Sequence, residues 1–343
     1  MPAPVALSSR VKGAIFGLAV CDALGGPVEF KPRGSFDRVT QMLPNDNFGL
    51  PPGCFTDDTS MTLCLAQSLL ECGGQSNIVD QVKKYISWWR NGYMSSVGRC
   101  FDIGVSTRSA LEMWDSFLHL DYRDSSPPVE ESHRAILKKI TFSFGKDEYC
   151  GNGSLMRVLP TALVAPSEPE AVQLAHESSL PTHPHPRCVH ACMIYAALVL
   201  QTLNGASKTE LAVSLAESVK ELPSNVSDNT PIEPVLAERL GKYQTLQDWE
   251  KTPAESIRST GYVVDTLEAS LWAFFNSDTF EEAAVLAVNL GYDADTVGAI
   301  CGGLAGTYHG FEAIPESWLR EMKKTDQLNE VAQKIVDHRN RTI

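Results

Sequence analysis

Apolar residues recur along most of the chain at the spacing of one helical face. Met61, Cys64, Leu65 and Leu69 fall at i, i+3, i+4 and i+8, a single stripe on a 3.6-residue turn. The same spacing returns at Val189, Cys192, Met193, Ala196 and Leu200, at Val264, Leu267, Leu271, Phe274 and Phe275, and at Val297, Ile300, Cys301, Leu304 and Tyr308. No series of alternating β-branched positions with hairpin turns accompanies them, so the pattern predicts an all-α protein. Breakers divide the helices at 44–53, 125–129, 181–186 and 223–234. The last, rich in Ser, Asn, Asp and Pro, is the expected exposed loop. From Leu319 onward the residues read as a polar surface helix with a frayed end. No breaker reads as a linker, so the 343 residues are expected to form one domain.

Charge narrows the partners. There are 42 acidic against 29 basic residues, a net charge of −13, whereas a nucleic-acid backbone is bound through clustered cations. Nucleic acid is therefore not the expected partner. Carboxylates gathered around a buried metal pair would account for part of the excess. The nine cysteines are scattered, odd in number and without a Cys-x-x-Cys spacing, the usage of reduced thiols in a cytoplasmic or nuclear protein. Met-Pro-Ala-Pro is no secretory n-region, and no window holds eighteen uninterrupted apolar residues; neither secretion nor a membrane span is expected.

Two short clusters could carry chemistry. Thr56-Asp57-Asp58 stands where a Pro/Gly-rich loop gives way to the helix from Met61, and Asp293-Ala294-Asp295-Thr296 precedes the helix from Val297. Each alone can be a helix cap, since Thr and Asp are favoured there and carboxylates suit the helix dipole. Together they offer only hard oxygen ligands, which suits Mg²⁺ or Mn²⁺ rather than zinc or copper. Glu29 sits between Val28 and Phe30, after a small-residue helix that permits close packing and ends at Gly25-Gly26-Pro27. It is either exposed by chance or held for a purpose. Cys150-Gly151-Asn152-Gly153-Ser154-Leu155-Met156-Arg157 is a Gly-rich turn able to form a phosphate nest, with the positive end of a following helix expected behind it. It lacks the Gly-Lys-Ser/Thr ending of a Walker loop. Asp102 by itself is a loop carboxylate, and His183, before Pro184, is a turn residue.

Taken in order, these segments resemble the ADP-ribosylglycohydrolase family, which includes bacterial dinitrogenase reductase-activating glycohydrolases and animal ADP-ribosyl-acceptor hydrolases. The likeness runs from Gly13 to Gly310, through GAIFGLAVCDALGGPVEF, FTDDTSMTLCLAQSLL, FDIG, GNGSLMRVLP, Thr182-His183, GYVVDTLEASLWAF and NLGYDADTVGAICGGLAGTYHG. It implies a single-domain, all-α orthogonal helical bundle over residues 1–343, with its core at 11–312 and a binuclear metal site in a central cleft. On that resemblance Thr56, Asp57, Asp58, Asp293, Asp295 and Thr296 would ligate two Mg²⁺ or Mn²⁺ ions. Glu29 would be a catalytic acid/base or switchable ligand. Asp102 matches a catalytic-loop aspartate of the arginine-directed branch. Gly104, Gly151, Asn152, Gly153, Ser154, Leu155, Met156 and His183 would contact ADP-ribose, with Tyr262 near the adenosine part and Tyr292 at the rim. Cys21 and Tyr292 depart from the pattern, standing where Gly, or Gly or Asp, is usual.

The implied reaction is hydrolysis of the C1″ glycosidic bond, releasing ADP-ribose from a protein, with arginine as the favoured acceptor and a monomer as the expected state. Serine, acetyl and 1″-phosphate linkages share the same ribose and metals. An isoprenoid synthase would need a third carboxylate, which Asp57-Asp58-Thr59-Ser60-Met61 lacks. An Asp-x-Asp-x-Thr phosphatase would need a strand before its nucleophile, where Ala283, Ala284, Ala287 and Val288 have helical spacing. A non-catalytic ADP-ribose binder on a crystallin-like scaffold is the other class, and retention of all six Asp/Thr positions argues against it.

Overall fold

The computed structural model describes residues 5–121, 129–220 and 231–342. Most of the loop predicted at 223–234, and of the breaker at 125–129, lies outside the described residues. The sixteen α-helices of the described residues form a single helical domain without a sheet, as the periodicity predicts. Extended pairing among them is confined to two isolated bridges, Asn45 with Leu50 and Gly151 with Tyr262.

Seven helices position the site: α1 (Leu7–Gly25), α2 (Asp57–Glu71), α3 (Val105–Asp121), α4 (Pro186–Leu203), α5 (Val263–Phe275), α6 (Ala294–His309) and α7 (Thr325–Thr342). The central pair is α1 with α6. A side chain at Gly17 would place its Cβ 2.3 Å from the carbonyl oxygen of Gly302, and one at Gly302 would meet the Gly17 oxygen at 2.2 Å. Gly13 and Gly306 block each other in the same way, and a Cβ on Gly25 would reach Ala294 O at 2.4 Å. Residues four apart lie on one helix face, so this row of small residues brings two antiparallel backbones into contact. The consequence for chemistry is register: the last turn of α1, followed by Glu29, lies against the first turn of α6.

The stretch Leu7–Val28 and α4 are long and apolar enough to cross a bilayer, yet 94% and 89% of their apolar windows are buried inside the fold. They are the core helices of this domain. The C-terminal segment departs from the expected polar surface helix. In α7, Leu328, Val331, Ala332, Ile335 and Val336 are buried, and the Arg339 guanidinium donates to Leu163 O at 3.1 Å and Ala165 O at 2.8 Å. Apart from Arg339, charged residues such as Asp326, Glu330 and Asp337 occupy the exposed face of a docked amphipathic helix.

Candidate active site

Asp22, in the last turn of α1, is fully buried. Its carboxylate accepts from the backbone N–H of Thr56 at 2.9 Å, and from the N–H and Oγ1–H of Thr59 at 3.1 and 2.6 Å. These bonds pin the start of α2 to the end of α1. The sequence reading gave Asp22 no role. The available signal was an acid inside an otherwise apolar and glycine-rich helix, since a buried carboxylate needs donors.

The helix-cap alternative fails at both clusters. Thr56 and Asp293 occupy the N-cap positions of α2 and α6, but neither side chain caps its helix. Thr56 Oγ1 donates instead to Asp58 Oδ2 at 3.2 Å, and Thr296 Oγ1 reaches the same oxygen at 3.4 Å. Asp58 thereby joins the two clusters. Asn152 Nδ2 donates to Asp293 Oδ2 at 2.5 Å and to Thr266 Oγ1 on α5 at 3.0 Å. Oxygens of Glu29, Asp102 and Asp295 lie within 4.8 Å of one another, one of two groups of side chains among the described residues able to hold a cation.

So many carboxylates cannot all ionise together without a counter-charge. Burial, then the charges of Asp102, Asp293 and Asp57, push Glu29 up to about 10. Burial, then Asp293, pushes Asp102 up to about 6. Asp57, Asp58 and Asp295 are all held well above the carboxylate range, burial being the largest cause. Asp58 Oδ1 and Glu29 Oε2 are buried without a hydrogen-bond partner among the described residues. A hard divalent cation satisfies orphaned carboxylate oxygens and lowers these pKa values at once, so the residues present fit such ions.

Glu29, Asp57, Asp102, Asp293 and Asp295 line a cleft of about 350 Å³, together with Gly104, Thr107, Gly151, Asn152, Gly153, Met156, His183 and Gly261. Among the described residues no lysine or arginine lines it. The Gly-rich turn is held from α5: Gly151 pairs with Tyr262, Asn152 N–H donates to Gly261 O at 3.1 Å, and Val263 N–H to Cys150 O at 3.0 Å. Glycine is required at Gly153, where a Cβ would stand 2.8 Å from His183 Cε1 and 2.9 Å from Thr107 Oγ1. The expected helix end behind this turn is absent. The chain continues through turns to a five-residue helix at Pro160–Val164, because Pro160 fits a first helical position and fixes the start there. Burial, followed by the charge of Arg157, lowers His183 to about 3, so its imidazole is neutral.

Other predicted residues separate. Thr56 and Asp58 are buried in the Asp/Thr clusters without lining the open cleft. Ser154 and Leu155 are fully buried beneath the Gly-rich turn, where Ser154 Oγ bonds to Ser179 Oγ at 2.8 Å. Tyr262 is half-buried beside the turn, with the Arg187 guanidinium 5.8 Å from its ring centre. Tyr292 is 45% exposed and, like Phe30 at 68%, takes a left-handed backbone conformation, with φ of 57° and 65°. Their peptides pair: Phe30 N–H donates to Tyr292 O at 2.6 Å and Tyr292 N–H to Lys31 O at 2.8 Å. Such φ values cost an aromatic residue about 1 kcal/mol or more. The pairing fastens the Glu29 segment to the Asp293 segment.

The second group able to hold a cation is Asp147, Cys150 and His185, which the sequence reading did not single out. Here the Arg187 guanidinium lies 3.7 Å from Cys150 Sγ and 3.8 Å from Asp147 Oδ2. His185 Nε2 faces Asp147 Oδ1 at 3.0 Å while its Nδ1 accepts from the backbone N–H of Arg187. The Nε2 lone pair is thus replaced by a hydrogen, and positive charge is already supplied.

Comparison with known proteins agrees with this arrangement. Residues 3–342 match the family described as ADP-ribosylglycohydrolase. The chain is 34% identical over 329 residues to the ADP-ribosylarginine hydrolase Tri1 of Serratia proteamaculans, covering 95% of this chain and 78% of that protein. It is 29% identical to the ADP-ribosyl-[dinitrogen reductase] glycohydrolase of Rhodospirillum rubrum, over 91% of this chain and 90% of the relative. A solved structure, an ADP-ribosylglycohydrolase-related protein complex, superposes with a TM-score of 0.76 at 33% identity, over 97% of this chain and 99% of that one. With the match spanning nearly its whole length, the chain belongs to the ADP-ribosylglycohydrolase family and is a hydrolase of that type.

Proposed function

We propose that the protein hydrolyses the C1″ glycosidic bond of arginine-linked ADP-ribose on a protein acceptor. Thr56, Asp57, Asp58, Asp293, Asp295 and Thr296 would hold two divalent cations, Mg²⁺ or Mn²⁺, in one cleft. The observation that carries this reading is the convergence of both Asp/Thr clusters on Asp58, with Asp58 Oδ1 and Glu29 Oε2 left without partners among the described residues. Bound divalent cations supply Lewis acidity and a template for the attacking water.

The chain's own residues do the rest. Gly104, the Gly151–Gly153 turn, Met156 and His183 form the walls against the ligand, with Tyr262 and Tyr292 at its edges. Asp102, which lines the cleft with its carboxylate near Glu29 and Asp295, is placed to exchange a proton with water and leaving group. It takes one proton from the attacking water as the C1″–O bond forms. The C1″–N bond breaks with its electron pair going to the guanidine nitrogen, which receives that proton from Asp102. Glu29, within 4.8 Å of Asp102 and Asp295, completes the acidic wall beside the scissile ribose.

Two things favour arginine. Beyond the carboxylates proposed to hold the cations, the cleft presents Glu29 and Asp102 and, among the described residues, no lysine or arginine, an acidic wall that a cationic guanidinium complements and a serine ether does not. The related Tri1 proteins of Serratia proteamaculans and Pseudomonas putida are named ADP-ribosylarginine hydrolases. The nine cysteines, all free thiols, fit work in the cytoplasm or nucleus. A panel of proteins carrying arginine-, serine-, acetyl- and phosphate-linked ADP-ribose tests the acceptor. The expected result is a kcat/KM for the arginine linkage at least about tenfold above the others, one RT ln 10 step of discrimination; preferred cleavage of the serine ether contradicts it.

A further inference from the structure

Arg157 is fully buried, and among the described residues it forms no ion pair with a carboxylate. Its guanidinium lies 4.6 Å from the Tyr85 ring centre. It donates to Gly153 O at 2.9 Å, to Ser178 O at 3.3 Å and to Thr182 Oγ1 at 2.7 Å. Thr182 Oγ1 is also 2.8 Å from His183 Nδ1. Arginine has donors only, whereas a hydroxyl has one hydrogen to give. Thr182 therefore accepts from Arg157, and its own hydrogen is free for Nδ1. A neutral imidazole that accepts at Nδ1 carries its hydrogen on Nε2. The other tautomer would point two donors at one oxygen and strand the Thr182 hydrogen in a fully buried position.

Nε2 is the nitrogen that faces the Gly-rich turn: a Cβ on Gly153 would lie 3.1 Å from it, and one on Gly151 3.8 Å. We propose that Arg157 is a positioning residue which, through Thr182, fixes His183 as an Nε2–H hydrogen-bond donor facing the cleft. The same guanidinium holds the Gly153 carbonyl, so one buried cation sets both the turn and the donor opposite it. An oxygen-rich ligand, a ribose hydroxyl or a diphosphate, is what a fixed N–H donor at this place recognises. That last step rests on the proposed function; the tautomer does not.

Long-range ¹H–¹⁵N spectra of the ligand-free, full-length protein report the tautomer directly, with His183 assigned by its loss in His183→Gln. The expected wild-type spectrum has Nε2 protonated and Nδ1 bare. Thr182→Val is expected to give a mixture of tautomers and about tenfold weaker ADP-ribose binding by calorimetry, the scale of one hydrogen bond. Thr182→Ser is expected to restore both. Arg157→Leu, in whatever fraction remains folded by circular dichroism, should resemble Thr182→Val. A wild-type His183 protonated on Nδ1, or a Thr182→Val spectrum identical to wild type, overturns the proposal. The expected tautomer in a protein that does not bind ADP-ribose supports the Arg157–Thr182–His183 assignment and removes the ligand reading alone.

Discussion

The Asp57→Ala/Asp58→Ala double variant is expected to release no ADP-ribose above background and to bind no Mn²⁺ in calorimetry, while remaining folded. Asp57 and Asp58 follow the N-cap residue Thr56 in the first turn of α2, so their loss leaves the helix start in place, held by Asp22 through Thr56 and Thr59. The single variant Asp58→Asn is sharper. It keeps the shape that receives Thr56 Oγ1 and Thr296 Oγ1 but removes one buried charge. Even residues behind metal ligands cost 10–100-fold in affinity or activity when changed, so a ligand itself should cost about 100-fold or more. The metal-free Asp58→Asn protein should at the same time be more stable than metal-free wild type, because one repelling carboxylate is gone. Loss of activity together with a gain in metal-free stability marks a ligand; loss of both would mark a structural residue.

Stability of the metal-free protein is expected to fall as pH rises across a window in which many proteins gain it. Glu29 is raised to about 10, and Asp22 and Asp102 to about 6, each above its unfolded value near about 4. Such groups bind their protons more tightly in the folded state. Their contribution is therefore fully present below the unfolded pKa and is lost as pH climbs through the folded one. For the two aspartates the window is about 4 to 6, and for Glu29 it extends toward about 10. Surface carboxylates such as Glu71, lowered by its bond to Lys84, act in the opposite sense at acid pH, so the informative quantity is a difference. Urea midpoints measured in chelator and in excess Mn²⁺ should diverge steadily from acid to alkaline pH, since the cation supplies the missing counter-charge. A constant gap would mean that the carboxylates are not where the cation binds.

How much of this could be read from the residues depends on the scale of the feature. Helix faces such as Val297, Ile300, Cys301 and Leu304 are local repeats and are legible directly. So were the two Asp/Thr clusters, because hard oxygen donors at two helix starts are an unusual composition. Their meeting at Asp58 was not legible from composition or spacing: it depends on the glycine row that locks α1 to α6 and sets their register. Asp22 and Arg157 escaped for a related reason. Each acts through bonds to residues far along the chain, Asp22 to Thr56 and Thr59, Arg157 to Ser178 and Thr182, and sequence distance hides such partners. In the C-terminal helix, periodicity was present but outweighed by charge. The chain's place at Ser154 and Leu155 shows the converse: the turn gives Gly151, Asn152, Gly153 and Met156 to the cleft and Ser154 and Leu155 to the core, a division that no spacing in the sequence announces.

The central claim is that cations held by the two Asp/Thr clusters are required for removal of ADP-ribose. It is tested most directly by following release from an arginine-modified protein after exhaustive chelation, then after adding back Mg²⁺ or Mn²⁺. The account predicts no release in excess EDTA and full recovery on return of either ion; undiminished release in EDTA would contradict it.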